Sequence, residues 1–264
     1  MKLSDLYVYL FFISLYLPIL WILFLSFFDV ENEIFTFSLY SDLFNNKEIL
    51  IAVANSFFLA ISSSFIAVLL GTSGAIGTFF LKYDYVKIIE SIVKMQMANV
   101  EIVIALSLSI MFIFFKISSF SFFTLLIGHI CLSLPFIYFF IKPKLIKFDL
   151  NLYEESLDLG CTPIKAIRKV ILPHIFYDIL SSFMFSVMLS LDDFVITFFL
   201  RGPGLFSGFR NIETISTFAQ SKIKKSPIPP ELKALTGIYF LFSLICVIIF
   251  FLIKRNKRNN HVKS

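Results

Sequence analysis

Three cysteines, three histidines and a single tryptophan are all that this chain of 264 residues offers of those types, and the shortage excludes several classes of protein. Cys131 and Cys246 fall within apolar stretches and Cys161 within a polar one, so no disulfide framework is implied. His129, His174 and His261 stand alone, without metal-ligand spacing, and structural packing is the better reading of the first two. Among the nine glycines, Gly71, Gly74 and Gly77 recur at every third position. No Lys-Ser or Lys-Thr pair follows them, and the spacing is not the dinucleotide pattern, so close helix packing is favoured over phosphate binding. Charged residues make up only 16% of the chain, with the basic ones dispersed over several short loops, which argues against a nucleic-acid partner. Repeats and low-complexity tracts are absent. The sequence gives no reason to expect catalytic residues, a metal site or a cofactor.

What the chain has in quantity is apolar surface: 58% hydrophobic residues, 36 of the total being Phe. A membrane-crossing helix needs about 20 mostly apolar residues. Six stretches approach that length, at 6–28, 49–80, 95–115, 120–141, 175–200 and 232–253. The first is longer than the ~7–15-residue core of a signal peptide, and no A-x-A-like site follows it, so it is expected to remain as a helix. The fold class that follows is all-α: a polytopic membrane helix bundle of about six transmembrane helices in a single domain, 1–264.

Basic residues give the orientation, because cytoplasmic loops retain Lys and Arg. With the N-terminus inside, fifteen fall in inner segments, among them Lys82, Lys142, Lys165, Arg168 and the cluster from Lys254 to Arg258. Eight fall outside, which accounts for all 23. Six spans return the C-terminus to the cytoplasmic side.

Within the second span, Ala52, Ser56, Ala60 and Ser64 form one row of small residues, and Ser63, Ala67, Gly71 and Ala75 another. Four-residue spacing puts each row on one helical face, where neighbouring backbones approach closely. The inner loop at 142–173 is polar and carries its own helix signals. Its first helix, 151–159, has acids in its early turns that favour the helix dipole. Gly160 suits the left-handed residue that ends such a helix. Thr162-Pro163 supplies an N-cap and a first-turn proline for a second helix, which Pro173 is expected to break. The last outer loop, 201–230, is rich in Gly, Pro and Lys, and its tail, Ser226-Pro227-Ile228-Pro229-Pro230, cannot be regular helix. It is expected to cover the outer mouth or to meet another subunit.

Three acids lie in otherwise apolar spans: Glu101, Asp192 and Asp193. An ionised carboxylate at the centre of a membrane helix costs about 2.5–3.5 kcal/mol on insertion scales, so these acids are expected to face the bundle interior, a water-filled path or a helix end. Adjacent helical residues lie about 100° apart, so Asp192 and Asp193 cannot point the same way. At least one is expected to line a path.

The inner loop also carries a resemblance. Glu154-Glu155-Ser156-Leu157-Asp158-Leu159-Gly160, with Val170-Ile171-Leu172-Pro173 after it, resembles the cytoplasmic loop of bacterial ABC importer permeases. The chain departs from that pattern at Glu155 and Ser156, where small alanines are usual, and conservatively at Val170. Further similarity lies in Asn99-Val100-Glu101-Ile102-Val103, in the segment from His129 to Phe136, in Ser190-Leu191-Asp192-Asp193-Phe194-Val195, in Gly202-Pro203-Gly204 and in the segment from Pro230 to Leu235. Together these cover roughly residues 95 to 250 and look like the second permease of spermidine/putrescine importers.

The resemblance implies a type I ABC importer permease fold and alternating access driven by a separate ATPase dimer. It implies a companion permease beside the chain, an extracytoplasmic solute-binding protein outside and lipid around the bundle, in a bacterial cytoplasmic membrane with both termini cytoplasmic. Glu154, Glu155, Asp158, Gly160, Leu172 and Pro173 would couple the permease to its ATPase. Asp192, Asp193, Glu101 and Tyr138 would line the substrate path, with Phe194 a further aromatic wall. Carboxylates offset the ammonium charges of a polyamine, and aromatic faces attract them by about 0.5–2 kcal/mol. ATP hydrolysis then belongs to another chain, since no P-loop is present here. Ferric ion or thiamine are alternative cargoes. More remote are a passive channel and an intramembrane enzyme with an aspartyl dyad, whose two acids are normally drawn from separate elements.

Overall fold

The apolar runs of the sequence are helical in the computed structural model, which describes residues 3–29, 34–116, 121–202, 212–223 and 230–263. The first helix, α1, spans Leu3–Leu25 and carries Pro18. A short antiparallel pair follows, β1 (Phe28–Asp29) with β2 (Ile34–Phe35), and then the short helix α2, Ser38–Asn45. The long helix α3, Lys47–Phe79, begins where the Asn46 side chain accepts from the backbone N–H groups of Glu48 and Ile49, satisfying two donors that a helix start leaves open. Next come α4 (Tyr83–Ala98), α5 (Glu101–Phe114) and α6 (Phe122–Ile146). The cytoplasmic-type loop holds α7 (Leu150–Asp158) and α8 (Pro163–Ala166). The chain then runs through α9 (Leu172–Asp192), α10 (Val195–Leu200), α11 (Ile215–Ile223) and α12 (Pro230–Lys263).

Among the described residues, four helical stretches are long and apolar enough to cross a membrane: Lys47–Phe79, Phe122–Ile146, Pro163–Asp192 and Leu232–Ile249. The bent pair α4 and α5 makes a fifth, and the shorter apolar stretch Tyr9–Leu25 of α1 adds to these. The architecture is an all-α membrane bundle.

Helices α3, α6 and α9 pack most extensively and form its centre. Both small-residue rows of α3 are buried, from Ala52 to Ala75. A Cβ added at Gly71 would lie 2.7 Å from Ile137 Cγ2 on α6, so glycine there permits the close approach. Gly74 and Gly77 face open space, and close packing accounts for Gly71 alone. One apolar cluster joins Ala67, Ile137, Ile141, Leu145, Phe148, Ile171 and Ile175. It links all three central helices to the polar loop.

Three expectations from sequence require correction. The stretch 95–115 is not one helix, because the chain bends by 103° between α4 and α5, at Asn99 and Val100. Neither residue is Gly or Pro, and both take extended backbone geometry, which places Glu101 in the first turn of α5. The stretch 175–200 likewise breaks, at Asp193 and Phe194. Third, Pro173 does not interrupt the chain: helix is continuous over Pro163–Asp192, through a π-helical segment at Ile167–Ile171. Proline lacks an N–H and crowds the carbonyl four residues back, and the wider π turn just upstream accommodates both effects. The polar loop is correspondingly narrower than 142–173, since α6 runs on to Ile146. Lys142 lies within that helix and is buried.

Of the outer loop at 201–230, residues 203–211 and 224–229 lie outside the described residues, and with them Gly204 and most of the proline-rich tail. The described part contains α11, which turns back onto the bundle. There the Asn55 side chain donates to the Glu213 carbonyl at 3.2 Å, and the Ile215 N–H donates to Ser56 Oγ at 2.8 Å.

Candidate functional site: a polar knob and a buried acid cluster

The knob is built around one turn. The Asp149 side chain caps α7 by accepting from the Asn151 N–H at 3.1 Å. The first turn of α7 contains no acid, so Asp149, not Glu154 or Glu155, meets the helix dipole there. At the other end, the Cys161 N–H donates to the Ser156 carbonyl and the Gly160 N–H to that of Leu157. These are the two bonds of a Schellman ending, and Gly160 takes the left-handed φ of +86° that it requires. Thr162 and Pro163 then start the next helix.

Glu154, Glu155, Asp158, Gly160 and Pro173 are exposed, whereas Leu172 packs against the central apolar cluster. The charge that Glu155 brings to this pattern is thus on the surface. Leu159 and Ile164, on either side of the turn, are 87% and 77% exposed. Sequence reasoning passed over both, since an isolated Leu or Ile carries no signal until its surroundings are known. The knob is tied to the bundle by Phe80 against Tyr153, with ring centroids 5.0 Å apart, and by Ile167, Val170 and Ile171.

The second group of residues gathers where α9 ends. Asp193 is 4% exposed and caps α10, accepting from the Ile196 N–H at 3.2 Å and the Thr197 N–H at 3.0 Å. Asp192, its neighbour, is exposed. The break between helices thus turns the two carboxylates apart, as their spacing requires. Glu101, exposed at the start of α5, is within electrostatic reach of both aspartates, and Tyr239 of α12 is within reach of Asp192. The structure therefore brings Glu101, Asp192 and Asp193 together.

Tyr138 is not part of that group. It lies about 13 Å along α6 from His129. There it is buried, donating to Thr78 Oγ1 and accepting from Lys142 Nζ, each at 3.2 Å. Lys142 in turn pairs with Glu90 of α4, beside a cavity of about 310 Å³ lined in part by Thr78, Tyr83 and Leu145. Phe194 sits in the helix break and stacks obliquely on Phe198, 5.5 Å between centroids.

Sequence reasoning missed the role of His129. It is fully buried, with Nε2 3.1 Å from Thr197 Oγ1 and Nδ1 2.8 Å from Ser190 Oγ. Thr197 Oγ1 donates to Asp193 at 3.2 Å, so it accepts from His129 Nε2–H, and Nδ1 accepts from the Ser190 hydroxyl. A lone histidine in an apolar stretch gives no hint of such partners, which come from two other helices.

No family model matches the chain. The spermidine/putrescine transport system permease protein PotC of Escherichia coli (strain K12) is 31% identical over 247 residues, covering 92% of this chain and 90% of that protein. The chain belongs to the family of spermidine/putrescine transport system permeases. The PotC permease of Haemophilus influenzae is 28% identical and is matched over 98% of each chain.

Among solved structures, a bacterial ABC transporter involved in the import of the acidic polysaccharide alginate superposes with a TM-score of 0.71 at 16% identity, over 96% of this chain and 92% of that one. The MetNI methionine ABC transporter gives 0.51 at 15% identity, over 83% and 99%. At these identities the likeness concerns the fold, which is that of ABC importer permeases. This permease is a multi-pass inner membrane protein and a transport subunit of an ABC importer, not an enzyme.

Proposed function

We propose that this permease carries spermidine and putrescine inward by alternating access, with Glu101 and Asp192 facing the cargo. The observation that carries the reading is that Glu101, Asp192 and Asp193 lie at two helix breaks in membrane-spanning stretches, with Glu101 within electrostatic reach of both aspartates. Carboxylates are costly there unless they face one another's counter-ions, water or cargo. A polyamine supplies several ammonium groups on an apolar chain, which match acids spread over neighbouring helices. The names of the relatives, spermidine/putrescine permeases, agree with that chemistry. Asp193, buried as a helix cap, acts through its neighbours rather than on the cargo.

In this reading an ATPase dimer grips the exposed knob, where Glu154, Glu155, Asp158 and Gly160 surround the apolar tip formed by Leu159 and Ile164. A companion permease completes the path beside Asp192, and a solute-binding protein delivers cargo from outside. Both termini are cytoplasmic, as the distribution of Lys and Arg requires.

The test is ATP hydrolysis by the reconstituted complex, with its binding protein loaded in turn with spermidine, putrescine, ferric ion or thiamine. Stimulation by the polyamines alone is expected. Stimulation by ferric ion or thiamine instead would overturn the cargo and leave the importer.

A further inference from the structure

The α9–α10 break is flanked by hydroxyls that converge on one imidazole. Ser190 lies just before the break and Thr197 just after it, and His129 of α6 bonds to both. A single side chain from a third helix thus spans the discontinuity. Two further bonds reinforce it. Ser63 Oγ of α3 lies 3.4 Å from Ser190 Oγ, and Ser216 Oγ of α11 donates to the Asp193 carbonyl at 2.7 Å. Asp193 carboxylate oxygen Oδ2 lies 3.7 Å from His129 Nε2.

Every proton in this chain of bonds has a place. Ser190 donates to Nδ1, Nε2–H donates to Thr197, and Thr197 donates to Asp193. Buried polar groups satisfied in this way hold one geometry, because any other leaves a donor or acceptor without a partner. Asp192 is the last residue of α9, two residues from the Ser190 that His129 holds, so the seating of that last turn against the break decides where its carboxylate points.

We propose that His129 is a positioning residue: it staples the α9–α10 break and so fixes the direction of the Asp192 carboxylate. His129 touches no cargo. It acts by holding Ser190 and Thr197 at a set separation, which leaves Asp193 inward and Asp192 outward. The proposal rests on the reading of Asp192 as a cargo-facing acid, but the orientation it describes can be measured without any cargo.

The experiment uses the assembled complex with Cys131, Cys161 and Cys246 replaced by serine and Asp192→Cys as reporter. The rate of modification by a cationic methanethiosulfonate reagent is measured per assembled complex. With His129→Ala the rate is expected to change about tenfold, whereas His129→Gln, whose amide can both donate and accept, stays within about twofold. Thr197→Val, which removes the hydroxyl's bonds to His129 and to Asp193 at nearly constant volume, shifts the rate in the same direction. It also serves if His129→Ala fails to assemble. An unchanged rate in the variants that assemble overturns the proposal.

In the complex with Asp192 intact, His129→Ala is expected to lower maximal uptake about ten- to a hundredfold, the usual cost of a misplaced group, while half-saturation by loaded binding protein is unchanged. If Asp192→Asn transports as the parent does, the cargo-facing reading of Asp192 fails. The labelling ratio still judges the staple.

Discussion

Asp192 and Asp193 are neighbours in sequence and opposites in environment: the first is exposed and the second buried beneath α10, whose N-terminal N–H groups it accepts from. Their substitutions should therefore fail differently. Asp192→Asn is expected to leave assembly intact and to lower uptake at least tenfold, read by transport into vesicles. Asp193→Ala removes a helix cap and leaves buried donors without a partner, a loss of about 1–3 kcal/mol. It should reduce the melting temperature and yield of the complex before any transport is measured.

The turn at Gly160 gives a second pair of expectations. Space is open around it, so only the left-handed backbone restricts the residue. Gly160→Val, β-branched and disfavoured at positive φ, should distort the knob and leave ATP hydrolysis without matching uptake. Gly160→Asn tolerates that backbone and should keep both activities coupled. Equal coupling in the Val variant would show that the turn is not what transmits the motion.

At Gly71 the limit is space, not backbone. Gly71→Ala is expected to cost about 1–3 kcal/mol by overpacking against Ile137. Combining it with Ile137→Ala, which removes the Cγ2 that a Cβ at Gly71 would meet, should recover part of that loss. Thermal unfolding of the four variants of this cycle gives the coupling between the two residues.

The Glu90–Lys142 pair ties α4 to α6, and no residue of α4 is itself buried. Glu90→Gln should weaken the hold on α4, raising its protease sensitivity relative to α6. Exchanging the two charges, with Glu90→Lys and Lys142→Glu together, is expected to restore much of it. If Glu90→Gln leaves α4 as protected as before, apolar packing around Val93 is what holds the helix.

How far the sequence could be read follows the range of each interaction. Long apolar runs need no partner to be recognised, so the all-α membrane bundle is legible in the sequence, and so is the left-handed Gly160. The bend at Asn99 and Val100 was not, because neither residue is a helix breaker and tertiary packing decides the break. Asp193 reads as a membrane acid until Thr197 and Ile196 are seen donating to it. His129 reads as packing because its partners sit 61 and 68 residues away. Pro173 misled in the other direction, since a local rule about proline gave way to a π turn. Tyr138 reads as a path-lining aromatic from its residue type alone, whereas its hydroxyl serves Lys142 and Thr78.

The continuous helix over Pro163–Asp192 has a mechanical consequence. It joins the knob at one end to the Asp192 carboxylate at the other, with no non-helical break between. At 1.5 Å per residue its 30 residues form a rod of about 45 Å, so a tilt of only about 5° at one end sweeps the other through about 4 Å. That stroke is comparable to the diameter of an extended alkyl amine. In the proposed transport cycle, a small rotation at the knob would thus reach the Asp192 end without unwinding any secondary structure along the shaft.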